Sequence, residues 1–132
     1  MKYALLLYTD HDEWDRIPEE TQQQILQEYV ALDEALKAKG MLAGGEGLEA
    51  VSTATTVRVR DGKRTVTDGP FAETKEALGG FYVIECESLD EAIDWAARIP
   101  DARAGSVEVR PVIDYEAMGM TSAGGAVAED GA

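Results

Sequence analysis

The chain has 132 residues, 45% of them hydrophobic and 29% charged, so it is long enough for one domain with a core and too short for two. A net charge of -14 and a pI near 4.3 disfavour nucleic acid as a partner, because a phosphate backbone would be repelled. The single cysteine, Cys86, excludes an internal disulfide and a multi-cysteine metal site, and it favours a reducing cytoplasm as the location.

The N-terminal part predicts a strand followed by a helix. Apolar residues occupy both alternating sets of Lys2 to Thr9, so both faces of this strand need cover. The run is too short to span a membrane and no small-residue cleavage site follows it, so we expect no membrane association. A helix should start near Pro18 and end at Gly40. Its predicted inward stripe follows the 3.6-residue period and consists of Ile25, Leu26, Tyr29, Leu32 and Leu36.

The middle of the chain predicts four further strands. Met41 to Leu48 is a short strand that three glycines weaken. Thr55 to Thr67 is a hairpin, because valines alternate with arginines up to Asp61-Gly62, a strong signal for a tight turn. Gly80 to Glu87 is again apolar on both faces.

The C-terminal part predicts a helix, a strand and a tail. Ser88 begins the helix with a capping-box pattern and Pro100 ends it. The predicted inward residues of this helix are Leu89, Ala92, Ile93 and Ala96. Ser106 to Val112 is the last strand. We therefore expect one domain at 1–116 and a flexible tail at 117–132, whose small residues cannot offset the entropy of ordering.

The order of elements predicts an α+β fold, namely a ferredoxin-like split βαβ sandwich with an inserted β-hairpin. Two helices can cover only one face of a sheet, yet two strands are apolar on both faces. The second face should therefore pack against the sheet of a second copy, which predicts a homodimer.

Basic residues concentrate in one segment. From Thr55 to Lys75 there are five basic residues against three acidic ones, whereas the segments on either side are strongly acidic. Two interpretations stay open. The cations form a rim that attracts a small polar or anionic ligand, or they pair with the surrounding acidic surface.

The most distinctive motif is Asp68-Gly69-Pro70-Phe71 within Thr67 to Glu76, followed by Gly79-Gly80-Phe81-Tyr82. With the opening Met1-Lys2-Tyr3 and the closing segment at 105–111, it resembles the DGPF subgroup of YCII-related proteins, in the dimeric α/β-barrel superfamily. The likeness spans about residues 1–113. It implies a ferredoxin-like fold whose sheets pack as a dimeric α/β barrel.

The resemblance also implies a histidine and aspartate pair in a cleft, with the histidine on the first helix and the aspartate just before a proline and an aromatic residue. Asp68 matches that aspartate with Gly69 inserted, and the helix predicted from Pro18 has no histidine, so the pair is broken. Members of the subgroup are often encoded beside extracytoplasmic-function sigma factors, which implies an association with such a factor.

Asp68 is the candidate catalytic residue, as a general base if it is partly desolvated. The alternative is an aspartate that bonds to the backbone of its own turn. The candidate ligand-binding residues are Tyr8, Arg58, Phe71, Glu73, Lys75 and Tyr82. For the aromatic residues the alternative is a place in the core or an interface, and for the charged ones an exposed loop.

His11 is the only histidine and lies between acidic residues. Proton transfer or metal ligation is conceivable there, but contiguous residues rarely converge on one ion, so a solvated loop is favoured. We expect no metal and no cofactor. Cys86 has no basic neighbour in sequence and is expected to be an inert packing thiol.

Two functions follow as hypotheses. The first is a small-molecule-binding or weakly enzymatic homodimer with a cleft around Asp68 to Lys75. The alternative is a non-catalytic regulatory or interaction protein associated with an extracytoplasmic-function sigma factor.

Overall fold

A computed structural model describes residues 1–120 and shows a mixed fold of helices and antiparallel sheets. The elements are β1 Lys2–Thr9, α1 His11–Arg16, α2 Glu19–Ala38, β2 Leu42–Gly47, β3 Thr55–Arg60, β4 Lys63–Asp68, β5 Ala77–Glu85, α3 Leu89–Ala97, α4 Asp101–Ala104 and β6 Ser106–Pro111. The tail predicted at 117–132 falls largely on 121–132, outside the described residues.

Four strands form an antiparallel sheet in the order β2-β5-β1-β6. In the centre, Leu5 of β1 lies opposite Tyr82 of β5 on one side and Val109 of β6 on the other. A strand that is apolar on both faces suits this central position. Within residues 1–120 the sheet stays open and does not close into a barrel.

Helices cover one face of this sheet. Tyr3, Leu5 and Leu7 of β1 are buried in a core that also contains Leu32 and Leu36 of α2. Ile84, Ala92, Trp95, Ala96 and Ile99 complete the centre of that core. Each large side chain removed from water in this way stabilises the fold by about 1.5–3 kcal/mol.

The other face of the sheet carries the alternate residues of the same strands. Ala4 and Leu6 of β1 lie opposite Val83 and Phe81 of β5. Because successive strand residues point to opposite faces, these side chains point away from the core. They are half-buried, whereas their neighbours along β1 are buried.

The second sheet is the predicted hairpin, β3 with β4. Asp61 and Gly62 form its turn with φ of 53° and 76°, as a two-residue hairpin loop with both residues at positive φ requires. Val57, Val59 and Val66 share one face and are 57%, 59% and 59% exposed. A two-stranded ribbon is at best marginally stable alone in water, so this apolar face is a candidate interface.

Some predicted details are wrong. β5 begins at Ala77 and not at Gly80, so the glycine pair lies inside the strand. Leu26, Leu89 and Ile93, predicted to face inward, are 53%, 48% and 47% exposed. The prediction that Ala92 and Ala96 face inward is confirmed, and Trp95, which was not predicted, is buried beside them in α3.

Candidate functional site

A cleft of about 510 Å³ opens between α2 and the edge of the sheet formed by β2 and β5. Its volume lies within the range of small-molecule sites. The polar side chains that face it are Tyr29, Asp33, Lys37, Tyr82 and Asp101. Glu46 also borders the cleft, but it pairs with Phe81, so its side chain points to the other face of the sheet. Much of the opposite wall consists of glycine at positions 44, 45, 47, 79 and 80.

Glycine keeps that wall free of side chains. A Cβ atom on Gly45 would lie 2.7 Å from the carbonyl oxygen of Phe81, and one on Gly80 would lie 3.0 Å from the carbonyl oxygen of Glu46. The two strands therefore approach each other more closely than side chains would allow. The cleft has a backbone surface here, against which a ligand can pack directly.

Tyr82 and Asp33 join the two walls. The Tyr82 hydroxyl donates to Asp33 Oδ1 at 3.0 Å, linking the inward face of β5 to α2. Burial, then the hydrogen bond and the charge of Asp33, raise the pKa of Tyr82 above its ordinary value. The phenol therefore stays protonated, orients the carboxylate, and does not serve as a base.

Asp101, the first residue of α4, contributes a second carboxylate to the cleft. Its Oδ1 is buried and has no hydrogen-bond partner among the described residues. Burial raises the pKa of Asp101, while a hydrogen bond from its own backbone N–H and the nearby His11 act in the opposite direction. Burial without a partner favours the protonated form of a carboxyl group, or a hydrogen bond from a donor on a ligand.

His11 stands beside this carboxylate. It begins α1, and its side chain packs over the backbone of β5, where a Cβ atom on Gly79 would lie 3.1 Å from His11 Nε2. The Nε2 atom is buried and, within residues 1–120, has no hydrogen-bond partner. The prediction of a solvated loop at His11 is therefore wrong. Asp10 caps α1 by accepting from the Asp12 backbone N–H at 3.0 Å, which a helix start requires.

A second, smaller cavity of about 100 Å³ lies between α1, α2 and α4. We call it the side chamber. Its apolar walls are Trp14, Ile17, Ile25 and Pro100. Tyr29 and Asp101 line both the cleft and the side chamber.

The predicted catalytic residue lies elsewhere. Asp68 is exposed at the end of β4 and lines neither the cleft nor the side chamber. The turn after it is held by its backbone, because Gly69 N–H donates to the Ala54 carbonyl at 2.6 Å and Thr56 Oγ1 donates to the Gly69 carbonyl at 2.8 Å. A catalytic role for Asp68 stays a prediction.

Of the predicted ligand-binding residues, Tyr82 lines the cleft. Tyr8 lies on the opposite face of the sheet from the core. Phe71 is 78% exposed, and Arg58 Nη2 donates to its carbonyl oxygen at 3.4 Å. Glu73 and Lys75 are exposed in the same loop. The loop from Asp68 to Lys75 borders neither described cavity, so the cleft predicted around it is not the one found here.

Sequence reasoning missed Asp33, Lys37 and Asp101. It predicted that Tyr29 faces the core, and Tyr29 does pack against the core while it also lines the cleft. A signal was present, because Tyr29, Asp33 and Lys37 follow one another at a spacing of four and therefore share one side of α2. Polar residues at that spacing beside an apolar stripe indicate a helix that faces both a core and a cleft.

The described residues offer neither a reactive thiol nor a cluster of metal ligands. Cys86 is buried, and burial is the main reason that its pKa is raised, in agreement with the predicted inert thiol. Residues 1–120 contain no group of three or more His, Cys, Asp or Glu side chains placed to share a metal ion. No described helix combines the length and the apolar character needed to cross a membrane.

Comparison with known proteins gives two findings. A family model described as the YCII-related domain matches residues 1–116, which include every residue of the cleft and the side chamber. The chain is also similar to an uncharacterised protein of Rhizobium meliloti (strain 1021). The two are 39% identical over 118 residues, which cover 88% of this chain and 95% of that protein.

Proposed function

This chain belongs to the family of YCII-related domains, and we propose that it is a small-molecule-binding, weakly enzymatic homodimer whose cleft lies between α2 and the β2–β5 edge. The observation that carries this proposal is a formed cleft of about 510 Å³ in which two carboxylates, two phenols and one ammonium group converge. Convergent polar groups in a cavity of this size are typical of ligand sites.

The ligand is a small polar compound with hydrogen-bond donors. Asp33 has one oxygen occupied by the Tyr82 hydroxyl, so its second oxygen can accept from a ligand. Asp101 offers a second acceptor. Lys37 is exposed at the cleft, and an anionic group of the ligand would bind beside it. The net charge of -14 disfavours a polyanion.

The enzymatic part of the proposal is proton transfer by Asp101 with His11. The resemblance to YCII-related proteins implied a histidine on the first helix and an aspartate just before a proline and an aromatic residue. His11 lies on α1, whereas Asp101 follows Pro100 and does not match that aspartate, so its role is proposed from its position near His11 alone. Asp101 and His11 each have a buried side-chain atom without a hydrogen-bond partner among the described residues, and burial raises the pKa of Asp101, so this pair is suited to proton transfer with a bound ligand. Asp101 therefore replaces Asp68 as our leading acid–base candidate.

The dimer is proposed through the open face of the four-stranded sheet, in the ferredoxin-like arrangement that the family resemblance implies. The order β2-β5-β1-β6 with helices on one face supports this arrangement. Leu6 and Phe81 lie opposite each other on the other face, where a second sheet would cover them. The exposed valines of the hairpin provide a further apolar surface for the same partner.

A second candidate function is a regulatory or interaction protein associated with an extracytoplasmic-function sigma factor. The observation that favours it is the exposure of the motif loop, in which Phe71 is 78% exposed. An exposed aromatic residue in a polar loop is suited to dock on another protein.

The test is a thermal-shift screen of polar metabolites and amines against the wild type and three variants. Asp33→Ala removes the cleft carboxylate, Glu34→Ala removes its exposed neighbour on α2, and Asp68→Ala changes the motif. Ligand binding to the folded state raises the unfolding midpoint by mass action. A compound that stabilises all but Asp33→Ala supports the cleft. A compound that loses its effect in Asp68→Ala alone places the site at the motif. No hit, together with a sigma factor that coelutes with wild type and not with Phe71→Ala, favours the second candidate.

A further inference from the structure

Hydrogen bonds between α1 and α2 fix the walls of the side chamber. Trp14 and Ile17 at the end of α1 form one wall and Ile25 of α2 forms another. The carbonyl oxygen of Trp14 accepts from the Ile17 backbone N–H at 3.1 Å and from Gln22 Nε2 at 2.8 Å, so α2 fixes the end of α1. These bonds fix the wall formed by Trp14 and Ile17 relative to α2.

The chamber is too small to be a site by itself. Its volume of about 100 Å³ is well below the roughly 300 Å³ at which ligand sites begin, and it corresponds to about three water-sized groups. Most of its surface is apolar, although Thr9, Asp10 and Glu13 also border it, so an apolar group that enters it is stabilised by partial burial. Its dimensions fit a short alkyl substituent of a larger molecule.

The side chamber adjoins the cleft. Tyr29 and Asp101 belong to the walls of both cavities, so a ligand that passes these two side chains occupies both spaces. At this junction the Asp101 carboxylate has an oxygen without a hydrogen-bond partner among the described residues. A donor on the ligand would remove the free-energy cost of that buried acceptor.

We propose that the cleft ligand is amphipathic, with an amine or hydroxyl group that binds the Asp101 carboxylate and a linear or branched alkyl group of about three carbons that fills the side chamber. This inference rests on the proposed function and narrows its ligand class. Trp14, Ile17 and Ile25 then determine the length of the alkyl group.

The experiment is a titration of the full chain with straight-chain primary amines from methylamine to pentylamine. Each methylene that enters the chamber should tighten binding about fourfold, which corresponds to roughly 0.8 kcal/mol, and the gain should stop at about propylamine. Fluorotryptophan labelling provides a local signal, because one tryptophan, Trp14, lines the chamber and the other, Trp95, is buried in the core. The Trp14 resonance should shift with the longer amines while the Trp95 resonance stays in place.

Two matched variants test the location. Ala104 lines the chamber and Ala102 does not, although both are exposed positions of the same helix, so Ala104→Leu fills the chamber and Ala102→Leu adds the same group outside it. We expect Ala104→Leu to abolish the dependence on chain length and to leave methylamine binding unchanged, and Ala102→Leu to behave as wild type. Ile25→Ala enlarges the chamber, so the amine that binds most tightly should become butylamine or pentylamine. This test remains valid even if Ala104→Leu does not fold.

The outcomes separate this inference from the proposed function. Equal affinity for all chain lengths, or a Trp14 signal that stays in place, overturns the side chamber as a subsite and leaves the cleft intact. Failure of every amine to bind overturns the inference as well, while the cleft itself is decided by the comparison of Asp33→Ala with Glu34→Ala.

Discussion

At the scale of single residues, the hydrogen bond from Tyr82 to Asp33 is the main polar link across the cleft. It spans 3.0 Å between side chains that are each half-buried. A hydrogen bond to a charged acceptor stabilises by about 1.5–3 kcal/mol when buried, and solvent access reduces this value. The bond therefore holds Asp33 in place for a ligand and also contributes to stability.

Tyr82→Phe removes only the hydroxyl group. We expect the free energy of unfolding to fall by about 1 kcal/mol, because Asp33 loses its donor while the ring still packs on α2. Urea unfolding measures this change, and Tyr115→Phe, which lies outside the cleft, is the control. An equal loss in both variants would contradict a specific role for the Tyr82 hydroxyl.

Asp101 should make stability depend on pH. Its folded-state pKa is raised above the ordinary 3.8, mainly by burial. Between 3.8 and that raised value the folded chain binds more protons than the unfolded chain, so the Asp101 contribution to stability falls as pH rises through this window. Asp101→Asn removes the titration and should be more stable than wild type at pH 7.

The advantage of Asp101→Asn should shrink as pH falls toward 3.8, the ordinary value of the carboxyl group. Denaturant unfolding across that range measures it. Asp94→Asn removes the same charge from an exposed position on α3 and corrects for the general effect of net charge. A lower stability of Asp101→Asn than of wild type at pH 7 would show that the carboxylate is held by favourable contacts instead.

At the scale of elements, the strand β2 shows how glycine shapes the cleft. Gly45 has φ of 155° and lies against the backbone of β5, whereas Gly44 has no atom within 4 Å of its Cβ position. Gly45→Ala should lower the free energy of unfolding by about 2 kcal/mol or more, because backbone atoms must move. Gly44→Ala should change the free energy of unfolding by less than about 1 kcal/mol, because the added methyl group meets no atom and lowers the entropy of the unfolded chain. Equal effects of the two substitutions in thermal unfolding would contradict the close approach.

Elements with local signals could be predicted from the sequence. The side chain of the capping residue Ser88 accepts from the Glu91 backbone N–H at 3.1 Å, and α3 begins directly after Ser88. The Asp61-Gly62 turn and the start of α2 after Pro18 are likewise encoded by adjacent residues. The short helices α1 and α4 were missed, because four to six residues show too little periodicity to stand out.

The site could be predicted only in part, for a different reason. Tyr82 was predicted because a phenol in an apolar pocket can orient a ligand, and it does line the cleft. Asp101 and His11 are distant in the chain and come together only when α1 and α4 pack at the same end of the sheet. The distinctive motif around Asp68 predicted a site in the loop that follows the hairpin, but that loop borders neither the cleft nor the side chamber.

At the scale of the whole molecule, two opposing effects decide association. Two copies that each carry a net charge of -14 repel one another. The open sheet face and the valine face of the hairpin instead favour association through apolar burial. The hairpin also concentrates basic residues, with Arg58, Arg60 and Lys63 on the face opposite its valines and Arg64 opposite Val59 on the valine face itself. It therefore reduces repulsion where it meets an acidic surface.

Leu6→Lys should separate a dimer that forms through the sheet. Leu6 lies at the centre of the open face, and two-fold symmetry would bring in two unpaired ammonium groups. Burying unpaired charge costs about 3 kcal/mol or more, so the dissociation constant of the dimer should rise at least about 100-fold. Sedimentation equilibrium measures it, and circular dichroism should remain that of wild type, because in the monomer the lysine can reach water. Leu26→Lys, at a site that is 53% exposed on α2, is the control and should remain dimeric. A Leu6→Lys chain that still sediments as a dimer would move the interface away from the sheet, with the valine face of the hairpin as the next surface to substitute.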